Sequence, residues 1–156
     1  MKSIGPKLLL TILSCLSLFL TSCWEDLPAY GEAEITKVGF YHRFAGPDKD
    51  AITGEPIMVE TELSCQCEIN SEDASVYVDV TVPDANGDFT ETERNNVSQS
   101  KLWGYFNVST AARVTPINNS PTLGTPGDWT SPHQYEIMAA DGSKKIWTVT
   151  VRSFLK

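Results

Sequence analysis

Basic side chains are scarce in this chain of 156 residues: 12 Lys and Arg stand against 20 Asp and Glu, for a formal net charge of −8. Such a surface repels phosphate backbones and anionic lipid head groups. That excludes nucleic-acid binding through counterion release and excludes a basic membrane-surface patch. Histidine and cysteine are also few, two and four. No nucleophile elbow, zinc helix, phosphate loop or dinucleotide fingerprint occurs. Twenty scattered acids do not single out the two carboxylates that a glycosidase needs. The chain is therefore expected to be no enzyme, with no cofactor and no metal. Helical periodicity, internal repeats and low-complexity tracts are all missing. What is there, 41% hydrophobic and 21% charged residues, is a globular composition long enough for one ordinary domain with its own core.

One apolar run stands out, Leu8 to Leu20, preceded by Lys2 and Lys7. It is short for a bilayer span, and no second run follows, so residues 1–22 read as a signal peptide. The run closes on Leu20-Thr21-Ser22-Cys23, which resembles the lipobox of bacterial lipoproteins. The resemblance implies a thioether-linked diacylglycerol on Cys23, cleavage before it and acylation of the new amine. Two or three acyl chains anchor stably where one is marginal. The alternative is an ordinary secretory signal cut after a small residue; Cys15 is discarded either way. Losing Lys2 and Lys7 takes the net charge from −8 to −10. Glu25 and Asp26 resemble, in part, the signal that sends Bacteroidota lipoproteins to the outer face of the outer membrane, against the alternative of a solvated acidic linker. The expected location is the outer membrane, lipid-anchored and facing the cell exterior. Residues 23–33 read as lipidated Cys and tether, and residues 34–156 as one domain.

From there the period is two almost throughout. Val38, Phe40, His42 and Phe44 share a face, and residues 45–56 read as a loop. Ile57, Val59, Thr61, Leu63, Cys65, Cys67 and Ile69 alternate with polar residues as one long half-buried strand. Val76, Val78, Val80 and Val82 follow after the polar turn at Asn70 to Ala74, so the pair reads as a hairpin or a crossing between sheets. A polar loop over 83–101 leads to the aromatic strand Leu102 to Val108, then a strand at Val114 and a proline-rich loop over 116–132. Tyr135, Ile137 and Ala139 turn through Ala140-Asp141-Gly142-Ser143 into Trp147, Val149 and Val151. Many short strands between turn signals predict an all-β, antiparallel, immunoglobulin-like β-sandwich.

The closing run YEIMAADGSKKIWTVTV (Tyr135 to Val151) resembles the final hairpin of cadherin-like and immunoglobulin-like modules in Bacteroidota lipoproteins, including a domain of unknown function of the 5018 type. Ala112-Arg113-Val114-Thr115-Pro116 and Gly127-Asp128-Trp129 resemble further elements of that family, so the likeness spans about residues 57 to 151. It implies the sandwich fold and an association with outer-membrane carbohydrate loci, but no assigned function. Asp141 and Gly142 are then turn residues.

Three constellations carry candidate chemistry. Cys65 and Cys67 point to the same side of a strand, with Cα atoms roughly 6.5 Å apart, near the upper limit for a disulfide. They read as two buried thiols, as a strained disulfide, or as part of a metal or redox site. Asp84 to Asp88 offers oxygens as calcium loops do. Phe89 and Asn95 occupy positions where an EF-hand needs Gly and Glu, which leaves an irregular calcium site or a plain Asn-Gly turn. Trp103, Tyr105, Trp129 and Tyr41 could form a stacking platform for sugar rings, with Trp103 and Tyr105 opposite the aliphatic face of their strand. The alternative is that these aromatics pack as core against loops, with Trp129 plugging the end of the sandwich. Two functions follow. The first is a surface lipoprotein that binds a glycan as an accessory to its capture. The second is a structural or adhesion module that binds a partner outer-membrane protein without a small ligand.

Overall fold

The computed structural model describes residues 30–156; the expected signal peptide, the lipobox Cys23 and the start of the tether lie outside the described residues. Within it, nine strands form two sheets: β1 (Ile35–Lys49), β2 (Pro56–Glu62), β3 (Ser64–Asn70), β4 (Ser75–Thr81), β5 (Leu102–Val108), β6 (Arg113–Ile117), β7 (Pro126–Gly127), β8 (His133–Met138) and β9 (Lys144–Leu155). Sheet A has the order β2-β1-β5-β7 and sheet B the order β3-β4-β9-β8-β6. The chain is an all-β sandwich. One pair departs from the antiparallel expectation: β4 and β9 run parallel, from Ser75↔Thr148 to Thr81↔Leu155. Four strands that alternate between the two sheets, β5 to β8, separate them, and no tight hairpin then dictates antiparallel pairing.

The alternation in the sequence produces the core directly. Val38 and Phe40 of β1 and Leu102 of β5 face Val76, Val78 and Val80 of β4, Tyr135 and Ile137 of β8, and Trp147 and Val149 of β9, all fully buried. Each such side chain contributes about 1.5–3 kcal/mol of burial before the entropy of ordering is subtracted. Residues 30–34 belong to this body rather than hanging from it. Tyr30 O accepts from Ala140 N at 3.0 Å, and Ala33 O accepts from the Trp147 indole at 2.9 Å. Glu34 pairs with Lys145.

The single long strand expected across Ile57 to Ile69 is two strands in two sheets. At Leu63, buried and hydrogen-bonded through its N–H to Phe40 O at 2.9 Å, the chain leaves sheet A and enters sheet B. The inward phase survives the crossing, since Val59, Thr61, Leu63, Cys65, Cys67 and Ile69 all stay on the core side. A change of sheet that preserves the period leaves no trace in the pattern. The loop expected over 45–56 is also shorter. β1 and β2 extend as a hairpin whose turn is closed by Asp50, its carboxylate accepting from Ile52 N at 2.9 Å and Thr53 N at 2.7 Å. That hairpin overhangs the sandwich, so Ile57 is 49% exposed although its phase is inward.

The loop over 83–101 holds a short helix, α1 (Glu91–Asn96), followed by a 3-10 turn at Gln99–Lys101. Thr90 caps α1 by accepting from Glu93 N at 3.3 Å. Thr90 with Glu93 three residues on is a capping-box pattern, a signal present in the sequence but too short to show a helical period. The Asp84 to Asp88 segment closes as a tight turn through an Asn86–Phe89 bridge, with Gly87 at φ +58°.

α1 also covers His42. This imidazole lies inward, stacked on Phe44 with 5.7 Å between centroids and edge-on to Phe89 at 6.3 Å. Neither ring nitrogen has a hydrogen-bond partner among the described residues, and Nε2 stands 3.5 Å from Glu93 Oε2. Burial lowers its pKa; Glu93 opposes that, while Lys101 and Lys156 add to it. The unfolded chain then binds a proton near the ordinary value of 6.5 that the folded chain resists, so stability is lost as pH falls through that region. His42→Phe should flatten the decline in urea midpoint between neutral pH and about pH 5. A wild-type midpoint that does not move over this window would remove His42 as its cause.

Candidate functional site

The outward face of sheet A is where the sequence-predicted residues meet. β1 pairs with β5 so that Tyr41 lies opposite Trp103 and Gly39 opposite Tyr105, while β2 brings Glu62 opposite Tyr41 and Glu60 opposite Arg43. Every second residue on these strands points away from the core. Lys37, Tyr41, Arg43, Glu60, Glu62, Trp103 and Tyr105 therefore share one surface.

Gly39 makes the arrangement possible. The Tyr105 ring lies across it, so close that a Cβ there would fall 2.2 Å from the ring. A glycine within a strand marks such a close approach. From this seat the Tyr105 phenol donates to Glu62 Oε1 at 2.7 Å, and its ring lies 5.0 Å from that of Tyr41. Lys37 Nζ sits 3.5 Å from the same Glu62 oxygen and 5.6 Å from the Tyr105 centroid. On the other flank Arg43 pairs with Glu60, and its guanidinium lies 5.9 Å from the centroid of Trp103. Pro126 of β7 closes the row beside Trp103.

The charge state of this face is held firmly. Partial burial and the Glu62 carboxylate push the Tyr105 phenol up to about 12. The Tyr105 hydrogen bond, helped by Lys37, holds Glu62 below the usual carboxylate range. Lys37 is raised, chiefly by Tyr105. Half-buried rings with charged and hydroxyl groups at their margins can stack against the C–H face of a sugar while the margins accept its hydroxyls. The outward face of sheet B differs. Its organising feature is Arg152, which bonds Glu68 at 2.7 Å and also pairs with Asp79, at a bulge in β9 beside Ser153. Arg152 and the Ser153 hydroxyl hold the Asp79 carboxyl down to about 2.

Tyr41, Trp103 and Tyr105 thus come together, but Trp129 does not join them. It is 1% exposed and lies on the opposite, inner side of β5. Its ring covers Gly104, whose Cβ would fall 2.4 Å from it, and its indole donates to Leu102 O at 3.2 Å. Gln99 binds the Trp129 backbone on both sides, donating to O at 2.7 Å and accepting from N at 3.0 Å. The expected ligand-binding role of Trp129 is corrected to the alternative one, a plug of the sandwich against Phe40 and Tyr135. Sequence inspection also missed Gly39, Lys37, Arg43, Glu60 and Glu62. The phase of β1 gave a signal for the first three, since each alternates with the apolar Val38, Phe40 and Phe44.

Cys65 and Cys67 are free thiols, half-buried on the inner side of β3. The Cys65 thiol donates to Leu63 O at 3.4 Å and that of Cys67 to Val38 O at 3.1 Å. Burial pushes Cys65 up to about 11. The disulfide expectation is thus corrected: neighbours on one face of a regular strand bond separate carbonyls rather than each other. Among the described residues no three His, Cys, Asp or Glu are grouped to hold a metal ion.

Two outcomes follow. A soluble form beginning at Trp24, unfolded without reductant, should titrate both thiols; a deficit would restore the disulfide. Trp129→Ala should cost about 3–5 kcal/mol in urea denaturation, as emptying a core aromatic site does. A loss under about 1 kcal/mol would show that its ring is not part of the core.

Among the described residues no helix is long and apolar enough to cross a membrane. The chain is similar to a protein of Bacteroides fragilis assigned as secreted, with 59% identity over 83% of this chain and all of that one, and a TM-score of 0.77. A second solved structure, from Bacteroides thetaiotaomicron and assigned as a glycoside hydrolase, is 23% identical over 84% of this chain and 27% of that chain, with a TM-score of 0.43. No curated protein matches the chain. Residues 35–150 match the DUF5018-related family, and on that match and the 59% identity the chain belongs to the DUF5018-related family.

Proposed function

We propose that this protein is a non-catalytic binding module of the immunoglobulin-like type, lipid-anchored through Cys23 in the outer membrane and facing the cell exterior. It takes part in glycan capture. The observation that carries the reading is the platform of Tyr41, Trp103 and Tyr105, with Tyr105 seated on Gly39 and bonded to Glu62, and with Lys37, Arg43 and Glu60 around it. The lipobox Leu20 to Cys23 supports the anchor. Similarity to a protein assigned as secreted supports export.

A second reading rests on β2, which is an edge strand of its sheet among the described residues and exposes Ile57 and Met58 at 49% and 57%. Such an edge suits a partner chain that adds a strand, as a structural or adhesion module would use it.

Glycan binding by the soluble form should fall by about 2 kcal/mol, roughly thirty-fold, in Trp103→Ala, the cost typical of a buried aromatic contact. Tyr105→Phe, which keeps the ring and loses the phenol, should cost about 1 kcal/mol. In cells, Cys23→Ser should abolish labelling by a palmitate analogue and release the protein from the membrane fraction. A folded protein with no glycan ligand that instead captures a partner through β2 would favour the second reading.

A further inference from the structure

We infer, resting on the platform reading above, that this face selects neutral saccharides and rejects those that carry carboxylate or sulfate. The ground is a local balance of charge. Two cations border the rings, and each already faces a carboxylate. Lys37 lies 3.5 Å from Glu62, and Arg43 is paired with Glu60. Each cation also leans over a ring, Lys37 on Tyr105 and Arg43 on Trp103. Their charges are thus already balanced by carboxylates, which weakens the pull of either on an anionic sugar.

The penalty for an acidic ligand has a second part. A uronate or sulfate stacked on Trp103 or Tyr105 would lie beside Glu60 or Glu62, and like charges brought together in an interface repel. The Tyr105 phenol and Lys37 hold the Glu62 carboxyl ionised, so at ordinary pH this repulsion is not relieved by protonation. At longer range the formal charge of −8 acts in the same direction.

A neutral sugar meets neither obstacle. Its hydroxyls donate, and a carboxylate accepts through two oxygens with about four lone-pair sites. Tyr105 donates to Glu62 Oε1, and Lys37 faces the same oxygen as an ion pair. Its C–H face lies on the rings. The carboxylates of Glu60 and Glu62 thus offer acceptors beside the rings, which matches the hydroxyls of a polyol.

The test is an array of neutral polysaccharides (galactomannan, glucomannan, galactan) beside acidic ones (polygalacturonate, alginate, heparin). It is probed with the folded soluble form, with Trp103→Ala, and with the double variant Glu60→Gln, Glu62→Gln. Binding should be confined to neutral chains and depend on Trp103. The double variant, which frees Lys37 and Arg43, should gain acidic ligands. For each neutral ligand found, oxidising its primary hydroxymethyl groups to carboxylates gives a matched acidic chain, expected to bind roughly ten-fold more weakly or worse. This arm needs no variant to fold. Equal or stronger binding of acidic chains, lost in Trp103→Ala, would overturn the selectivity and leave the platform standing. No binding to any polysaccharide by a protein with a cooperative thermal transition would overturn the platform reading and the inference with it.

Discussion

The pairing of β1 with β5 places a glycine beneath an aromatic ring on each side of the same sheet. Gly39 stands opposite Tyr105, and the next pair is Phe40 opposite Gly104. Outside, Tyr105 lies on Gly39; inside, Trp129 lies on Gly104. A methyl group at either position would occupy space that a ring already fills. The two seats differ in how much they can give. The atoms over Gly39 are the free end of Tyr105, which could swing outward at small cost in packing. The atoms over Gly104 belong to a ring boxed in by Phe40, Phe106 and Tyr135 and tied to Leu102, so displacement there would be felt through the core. One register therefore fixes both the candidate recognition face and the plug of the sandwich. A slip of β5 by one residue would turn Trp103 and Tyr105 inward and put Leu102 in water.

Most of the fold was legible because a two-sided sheet writes its faces into the sequence. The alternation of Val76, Val78 and Val80, the Asp-Gly turn and the return through Trp147 and Val149 each appear where the pattern put them. What stayed hidden is what the period cannot encode. The crossing at Leu63 preserves phase. The parallel pairing of β4 with β9 is a choice of partner, made by long-range packing rather than by either strand. The helix at Glu91–Asn96 spans under two turns, too few to set a period against the surrounding polarity.

The site was legible in part for the same reason. Phase against Leu102 and Gly104 set Trp103 and Tyr105 on the face away from the aliphatic one, but left open whether loops cover them; both are half-buried. Trp129 sits outside any long strand, and phase says nothing about a loop residue. Its neighbours in space, Gly104 and Tyr135, are distant in sequence, and only the assembled sandwich brings them to it. The charged rim was missed because it is shared between strands. Lys37 and Glu62 are ordinary surface residues until β1 pairs with β2 and β5 and brings both to the Tyr105 phenol.

That sharing bears on how such a face could bind. Exposed aromatic and long charged side chains are usually costly to immobilise, and the loss of rotamer freedom is subtracted from affinity. Here each ring is already restrained. Tyr105 is held by Gly39 below, Glu62 beside it and Tyr41 against it, and Trp103 has Arg43 over it. The contacts that restrain the rings are ion pairs and hydrogen bonds at a half-open surface, each worth little for stability alone. Their larger effect is to prepay the ordering that a ligand would otherwise have to supply. A flat ligand meets rings that these contacts already orient, and the carboxylates beside them bear on which charges are admitted.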